Sequence, residues 1–263
     1  ILQDLAVRKA IYEAWDENSA FTNIDFSQGR KADSPLHSAL AAHVAQPGLP
    51  TFNVAQARAD LEAAGWHDPS GGTDFTQTRV WTGAPRPAVL GISGSALNTG
   101  DPLNLDAIHF DTGTQATYGL QLQANLLQVG IHLTDRPQTN GATQTSMAGR
   151  DYDTTFVSYC DGDDPVVGVR RQYHSSQIAA VSFTNTAGVR EPKASVGDGT
   201  MDDLWDRAVP DPSRYGPIQT KAVNLLPMIW MTETLNARVS RSVCQGINNQ
   251  NTGLFMETAY CSG

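Results

Sequence analysis

Between residues 105 and 159 the chain alternates between two kinds of hydrophobic pattern. Apolar runs typical of buried strands begin at Leu105, Ile131 and Tyr152, and the segments between them carry apolar residues at helical spacing. Strands separated by helices in this way pair in parallel through right-handed crossovers. The sequence therefore predicts an α/β fold with a parallel sheet. The predicted strands are 105–110, one opening at 131–133, and 152–159, and the predicted helices are 114–129 and 141–148.

Helices and a strand are also predicted on both sides of this segment. Asp4 is placed to cap a helix that runs to Trp15, and Asn53 is placed to cap a second helix that Gly65 ends. Pro227 opens an apolar run that is predicted to form a last strand, 227–231. The other predicted elements are helices at 54–64, 201–208 and 215–225. Trp66, Trp205 and Trp230 are assigned to the core.

Charge and hydrophobicity exclude several classes of protein. The 263 residues carry a net charge of -9 and no lysine- or arginine-rich run, so a nucleic-acid partner is not expected. No apolar stretch reaches the roughly 20 residues that a membrane-spanning helix needs. The six histidines include no HExxH motif, and the three cysteines lack CxxC spacing, so no zinc site is expected.

An acidic run, SYCDGDDP (158–165), follows the third predicted strand. It places Asp161, Asp163 and Asp164 just past the carboxyl end of a parallel strand, where open α/β sheets bind their ligands. A calcium loop that starts at Asp161 would need Gly and Glu where Val166 and Gln172 stand, so no metal is expected. The location favours a function for the run over a solvated turn.

Enzyme chemistry is the alternative interpretation of the acidic run. The Asp161 and Asp164 carboxylates could form a hydrolase pair of the kind that glycosidases use. The GISGS segment (91–95) lacks the second glycine of a nucleophile elbow, and no phosphate-binding GxxxxGK[ST] motif is present. The enzyme hypothesis is therefore the weaker one.

Two cysteines, Cys244 and Cys261, flank a polar tail that is rich in Asn and Gln. In an exported protein they could form a disulfide, and the alternative is two unrelated thiols. The sequence leaves both possibilities open.

Six segments, in order along nearly the whole chain, are similar to the family 5 extracytoplasmic solute-binding proteins, the peptide/nickel-type receptors of ABC importers. The first, LQDLAVRKAIYEAWD (2–16), resembles a helix of that family, and RDYDTTFVSYCDGDDP (150–165) resembles its motif ending in Asp-Pro. Two departures are Ser158-Tyr159 in place of the usual Gly-Trp, and a longer segment at 182–200. The other four segments are 52–66, 118–133, 167–178 and 201–233.

The resemblance implies a periplasmic-binding-protein-like lobe with parallel strands and flanking helices, plus return segments to a first lobe. It assigns residues 1–233 to a C-terminal lobe, with a helical segment 1–66 and an α/β core 100–233, and residues 234–263 to a return segment and tail. An N-terminal half with an export signal or anchor would precede residue 1, and the protein would be periplasmic or otherwise extracytoplasmic. The implied partners are a small-molecule or peptide ligand and a membrane ABC permease, with no cofactor and no catalysis. A stable fragment that lacks half of the cleft and has no activity of its own is a further alternative.

The same resemblance implies a set of ligand-binding residues. Asp161 stands four residues before Pro165, where peptide-binding members pair an aspartate with the ammonium group of the peptide. Tyr159 and Cys160 would line the same pocket, and Arg170 is a candidate for a ligand carboxylate or for a salt bridge to a neighbouring acidic residue. Asp164 is expected to cap the following turn and Asp163 to face solvent.

Overall fold

A computed structural model describes residues 1–71, 77–86, 96–157, 164–178 and 184–233, together with the backbone of four short strands beyond residue 243. The α-helices are α1 Leu5–Ala14, α2 Glu17–Asn23, α3 Val54–Ala63, α4 Thr114–Leu127, α5 Asn140–Gly149, α6 Arg170–Tyr173, α7 Met201–Ala208 and α8 Tyr215–Leu225. The strands are β1 Arg30–Lys31, β2 Trp66–His67, β3 Val80–Trp81, β4 Asn104–Phe110, β5 His132–Gln138, β6 Thr154–Thr155, β7 Thr232–Glu233, β8 Cys244–Gln245, β9 Asn248–Gln250, β10 Gly253–Phe255 and β11 Tyr260–Cys261.

The predicted parallel sheet is present, with strand order β5–β4–β6. The central strand, β4, pairs in parallel with β5 over its whole length and with β6 at Ala107↔Thr154 and Ile108↔Thr155. The structure describes residues 152–157 of the predicted third strand, 152–159, and within them only Thr154 and Thr155 join the ladder. The α/β fold class is confirmed.

Helix α4 covers the sheet and forms the first hydrophobic core with it. Leu105 and Ala107 of β4 belong to the same buried cluster as Leu122 and Leu126 of α4. Gly113, with a φ of 70°, precedes α4, and α5 packs beside β4 and β5 on the sheet. This core also takes in residues of α1 and α3, so the helical segment at the beginning of the chain packs on the sheet.

A second core forms around α7 and α8, which pack against each other. Trp205 is completely buried there, and Trp230 is nearly so. Trp66 is completely buried in the first core. All three tryptophans that the sequence assigned to a core are therefore confirmed as core residues. No helix in the described part of the chain combines the length and apolar character that a membrane crossing needs.

The predicted helix caps are confirmed. The side chain of Asp4 accepts a hydrogen bond from the Ala6 backbone N–H, and that of Asn53 accepts one from Gln56. Two short helices, α2 and α6, were not predicted. Each lies in a segment whose sequence indicates a polar or irregular loop, and neither is long enough to show a helical repeat.

The last predicted strand, 227–231, is wrong. α8 ends at Leu225, its C-cap residue Leu226 is left-handed with a φ of 46°, and the chain then runs without strand pairing until β7. There Thr232 pairs with Lys31 and Glu233 with Arg30 in antiparallel register. The apolar residues Ile229 and Trp230 pack into the cores instead of forming a strand.

Candidate ligand-binding site

The carboxyl ends of the three parallel strands meet at one edge of the sheet. Phe110 ends β4 beside Gln138, which ends β5, and Thr155 ends β6 on the other side. The acidic run begins three residues after Thr155, so the chain leads into it from this edge. The predicted site residues Tyr159, Cys160 and Asp161 lie outside the described residues, as does Asp163. The residues on both sides of them are described.

Phe156, at the start of the connection, is held in a row of rings. Its ring stacks on Tyr118 of α4 at 6.1 Å and 18°, and meets the ring of His109 of β4 edge-on at 5.8 Å. Trp15, just after α1, continues the row at 6.2 Å from Tyr118. This aromatic row (Trp15, Tyr118, Phe156 and His109) fixes the chain two residues before Ser158.

Tyr118 also joins α4 to β7 through Asp25. Its hydroxyl donates a hydrogen bond to Asp25, and the hydroxyl of Thr232 in β7 donates to the other oxygen of the same carboxylate. Burial, followed by the Asp25 hydrogen bond, raises the pKa of Tyr118 above its usual value, so the hydroxyl stays protonated and remains a donor. Sequence analysis missed this contact because Asp25 and Tyr118 are 93 residues apart, and no local pattern connects them.

Asp164 fixes the chain immediately after the described gap. Its Oδ1 accepts a hydrogen bond of 2.9 Å from the backbone N–H of Val166, and its carbonyl accepts one of 3.1 Å from Gly168. The expectation that Asp164 caps the following turn is confirmed. The backbone N–H of Arg170 donates to the Pro165 carbonyl at 2.9 Å, which ties the turn to α6. The acidic run is thus bounded on both sides by residues with defined contacts.

Arg170 is engaged in the salt bridge that the sequence suggested. Its Nη2 lies 3.0 Å from Oδ1 of Asp206 in α7, and the same carboxylate lies 3.3 Å from both Lys193 Nζ and His174 Nε2. Burial alone would raise the pKa of Asp206, but the hydrogen bonds from Arg170, Lys193 and His174 outweigh it and hold the pKa below its usual range. Nε of Arg170 is buried and finds no hydrogen-bond partner among the residues that the structure describes.

A cavity of about 890 Å³ lies at the opposite end of the sheet. Asn104 and Leu105 at the beginning of β4 line it, together with Asp153 and Thr154 at the beginning of β6. Burial raises the pKa of Asp153, whose Oδ2 accepts a hydrogen bond of 3.0 Å from the backbone of Asp106. This cavity is therefore separate from the carboxyl edge, where the topology of the sheet predicts a ligand site.

Comparison with known families agrees with the fold and with the order of the motifs. Residues 1–180 match the profile of the bacterial extracellular solute-binding proteins, family 5, middle region. The chain therefore belongs to this family of solute-binding proteins. No curated protein is similar enough in sequence to count as a relative.

Several solved structures share the fold at low sequence identity. The oligopeptide-binding protein AppA from Bacillus subtilis, solved with a nonapeptide, has a TM-score of 0.73 at 16% identity over 100% of this chain and 48% of its own. NikA from Brucella suis, solved with Fe(III)-EDTA, has a TM-score of 0.70 at 18% identity over 98% of this chain and 48% of its own. A dipeptide-binding protein from a Pseudoalteromonas species, solved with Met-Leu, has a TM-score of 0.70 at 15% identity over 98% and 45%. The chain spans about half the length of these proteins.

Proposed function

We propose that the chain is the C-terminal half of an extracytoplasmic receptor that binds a peptide or a related cationic solute and delivers it to an ABC importer. Ligand binding would take place between this lobe and an N-terminal lobe, and closure of the two lobes would bury the ligand. No chemical step is part of the proposal. Family membership supports it, as does the carboxyl edge of the sheet, from which the chain leads into the acidic run.

The electrostatics of the acidic run support a cationic ligand. A carboxylate that closure removes from water is costly unless a positive group pairs with it, so such a residue selects for an ammonium group. Among similar structures, AppA was solved with a nonapeptide and the Pseudoalteromonas protein with Met-Leu. A peptide amino terminus is the cation that we assign to Asp161, with Tyr159 and Cys160 as walls of the same pocket.

Arg170 is proposed to meet the carboxylate of the ligand. It follows the turn that Asp164 caps, and its Nη2 already binds Asp206. The Arg170 side chain is 26% exposed, and the N–H groups that do not contact Asp206 are the donors proposed for a ligand oxygen. The salt bridge to Asp206 would hold the guanidinium in place while these N–H groups contact the ligand.

Catalysis by an Asp161/Asp164 pair has less support. Oδ1 of Asp164 accepts the Val166 N–H at 2.9 Å, which gives this carboxylate a structural role in the turn. A measurable hydrolysis rate that Asp161→Asn abolishes would favour the enzyme, whereas stoichiometric binding without turnover would exclude it.

The test is a pair of titrations on the protein that contains this chain together with its N-terminal lobe. Isothermal calorimetry compares a tripeptide that has a free amino terminus with its N-acetylated form. The free peptide is expected to bind more tightly, and Asp161→Asn to weaken its binding by about 10- to 100-fold, because a charged hydrogen bond contributes about 1.5–3 kcal/mol.

Asp163→Asn is the matched control. It removes the same charge two residues away and is expected to leave the affinity for both peptides unchanged. If Asp161→Asn and Asp163→Asn weaken binding equally, the run acts only through its total charge. If neither changes the affinity, the ammonium site lies elsewhere and the assignment of Asp161 is wrong.

A further inference from the structure

The strands beyond residue 243 form two antiparallel pairs, one nested inside the other. The inner pair, β9 and β10, aligns Asn248 with Phe255 and Gln250 with Gly253. The outer pair, β8 and β11, aligns Gln245 with Tyr260. In the same register Cys261 is the direct partner of Cys244. The two cysteines that flank the polar tail in sequence are therefore opposite each other in the fold.

We infer that Cys244 and Cys261 form a disulfide that closes this C-terminal hairpin. Residues directly opposite each other in an antiparallel pair have Cα atoms about 4.5 or 5.5 Å apart, depending on the type of pair. Both separations lie inside the range of about 4.4–6.8 Å over which a disulfide can form. The backbone register alone thus meets the distance requirement, whichever type of pair Cys244 and Cys261 make.

The low stability expected of the hairpin by itself is a physical reason for a cross-link. β8 and β11 contribute two residues each, and β9 and β10 three each. An isolated two-stranded hairpin is marginally stable in water, and this one is built largely from Asn, Gln, Thr and Gly. A bond between residues 244 and 261 would reduce the conformational entropy of the unfolded tail and so favour the paired state.

Disulfide formation requires an oxidant, and the extracytoplasmic location proposed for the protein indicates which class of oxidant is available. Each thiol gives up a proton and an electron as the S–S bond forms, and the two electrons reduce the disulfide of a thiol–disulfide exchange partner to a dithiol. Such oxidants act in extracytoplasmic compartments. The inference depends on the proposed function only for this location. The third cysteine, Cys160, follows the parallel sheet in sequence and is expected to stay a thiol.

Thiol counting tests the inference. The purified chain, equilibrated in an oxidising glutathione buffer, is denatured and alkylated with or without prior reduction, and its mass is measured. One label is expected without reduction and three after it, since the chain has three cysteines. Three labels without reduction would overturn the inference.

Cleavage after Glu257 locates the bond. Glu257 is the sole acidic residue between Cys244 and Cys261, so cutting there separates the two cysteines into fragments that a disulfide alone would hold together. The fragments are expected to come apart only after reduction. A Cys160-containing fragment joined to either one would show a different pairing and would also overturn the inference.

Cysteine variants serve as controls. Cys160→Ser is expected to leave no label without reduction, and Cys244→Ser to leave two, because Cys261 would lose its partner. Peptide binding is measured separately, after the same thiol count, on the protein that contains this chain together with its N-terminal lobe. Binding with free thiols would reject the disulfide alone, whereas an intact disulfide without binding would reject the proposed function alone.

Discussion

His109 Nε2 and Asp135 Oδ1 lie 2.8 Å apart, joining neighbouring strands of the parallel sheet beneath α4. The histidine side chain is completely buried, and its Nδ1 lies 2.8 Å from the carbonyl oxygen of Phe110. Gly119 of α4 lies directly over the pair: a Cβ atom there would be 2.7 Å from both Asp135 Oδ1 and His109 Nε2. Because Gly119 has no side chain, the His109–Asp135 pair can lie directly beneath the helix.

Gly119→Ala should destabilise the protein, against the usual trend for helices. Replacing glycine by alanine inside a helix normally stabilises by about 0.5–1 kcal/mol. Here the added methyl group meets two polar atoms at 2.7 Å, and overpacking of this kind costs about 1–3 kcal/mol. Urea unfolding monitored by circular dichroism is expected to show a lower free energy of unfolding for the variant.

Gly141→Ala is the matched control for this substitution. Gly141 lies in α5, and a Cβ atom there would meet nothing within 4 Å. The control is expected to be neutral or stabilising by up to about 1 kcal/mol. Equal effects of the two variants would mean that Gly119 is not needed for the His109–Asp135 contact.

Tyr118→Phe tests the link between α4 and β7. The ring can keep its stack on Phe156, but Asp25 loses a hydrogen-bond donor, which should lower the free energy of unfolding by about 1–2 kcal/mol at pH 8. Because burial raises the pKa of Tyr118, the folded protein keeps this proton above pH 10 while the unfolded chain loses it.

The advantage of the wild type over Tyr118→Phe should therefore shrink as the pH rises above about 10. Unfolding in urea at pH 8, 9, 10 and 11 measures it. An advantage that stays constant over this range would contradict a raised pKa for Tyr118. An advantage absent already at pH 8 would show that the Asp25 contact contributes nothing to stability.

Local sequence signals were sufficient to predict the central part of the fold. The helix predicted from Thr114 begins there, directly after Gly113 in a conformation with positive φ, and α8 has the predicted bounds. Both helices have an apolar face that packs on a core, so periodicity and burial agree. β7 could not be predicted in this way. Two residues carry no periodicity, and their partners, Arg30 and Lys31, lie about two hundred residues earlier in the chain.

The location of the candidate site stays a prediction from the sequence, whereas the contacts on both sides of it come from the structure. A parallel strand followed by an acidic run predicts that the run lies beyond the carboxyl end of β6, since parallel strands all present that end at one edge. The contacts of Phe156 with Tyr118 and His109 join three separate elements of the chain. Such contacts depend on how α4 and the sheet pack together, which a single sequence does not encode locally.

Asp206→Asn should destabilise the protein at neutral pH and much less in acid. The hydrogen bonds from Arg170, Lys193 and His174 overcome the effect of burial and lower the pKa of Asp206. A lowered carboxyl pKa stabilises the folded state above the unfolded pKa of about 3.9, and this stabilisation is lost as the pH falls through the folded pKa. The side chain is 37% exposed, so we expect a loss of only about 1 kcal/mol at pH 7.

A double-mutant cycle that combines Asp206→Asn with Arg170→Met measures how much of the lost free energy of unfolding comes from the Arg170–Asp206 pair. The two single variants and the double variant are unfolded in urea at pH 7 and at pH 3. We expect a coupling of about 0.5–1 kcal/mol at pH 7 and a smaller one at pH 3. Without coupling at pH 7, the Asp206 contact would not hold Arg170 in place, which would remove the reason for assigning its guanidinium to a ligand carboxylate.

Phe156→Leu should weaken ligand binding more than its effect on stability explains. Leucine keeps an apolar contact but cannot stack on Tyr118 or meet His109 edge-on, and such ring pairs contribute about 0.5–1.5 kcal/mol each. The chain between Phe156 and Asp164 would lose its upstream anchor, and Asp161 lies in that interval. Calorimetry with the tripeptide should show a loss of affinity of about tenfold, equivalent to 1.4 kcal/mol.

Trp66→Phe is the control, because Trp66 is completely buried in the first core and meets Trp81 at 5.3 Å in the β2–β3 pair, which is separate from the parallel sheet. It should lower stability and leave affinity unchanged; if both variants weaken binding in proportion to stability, Phe156 has no positioning role.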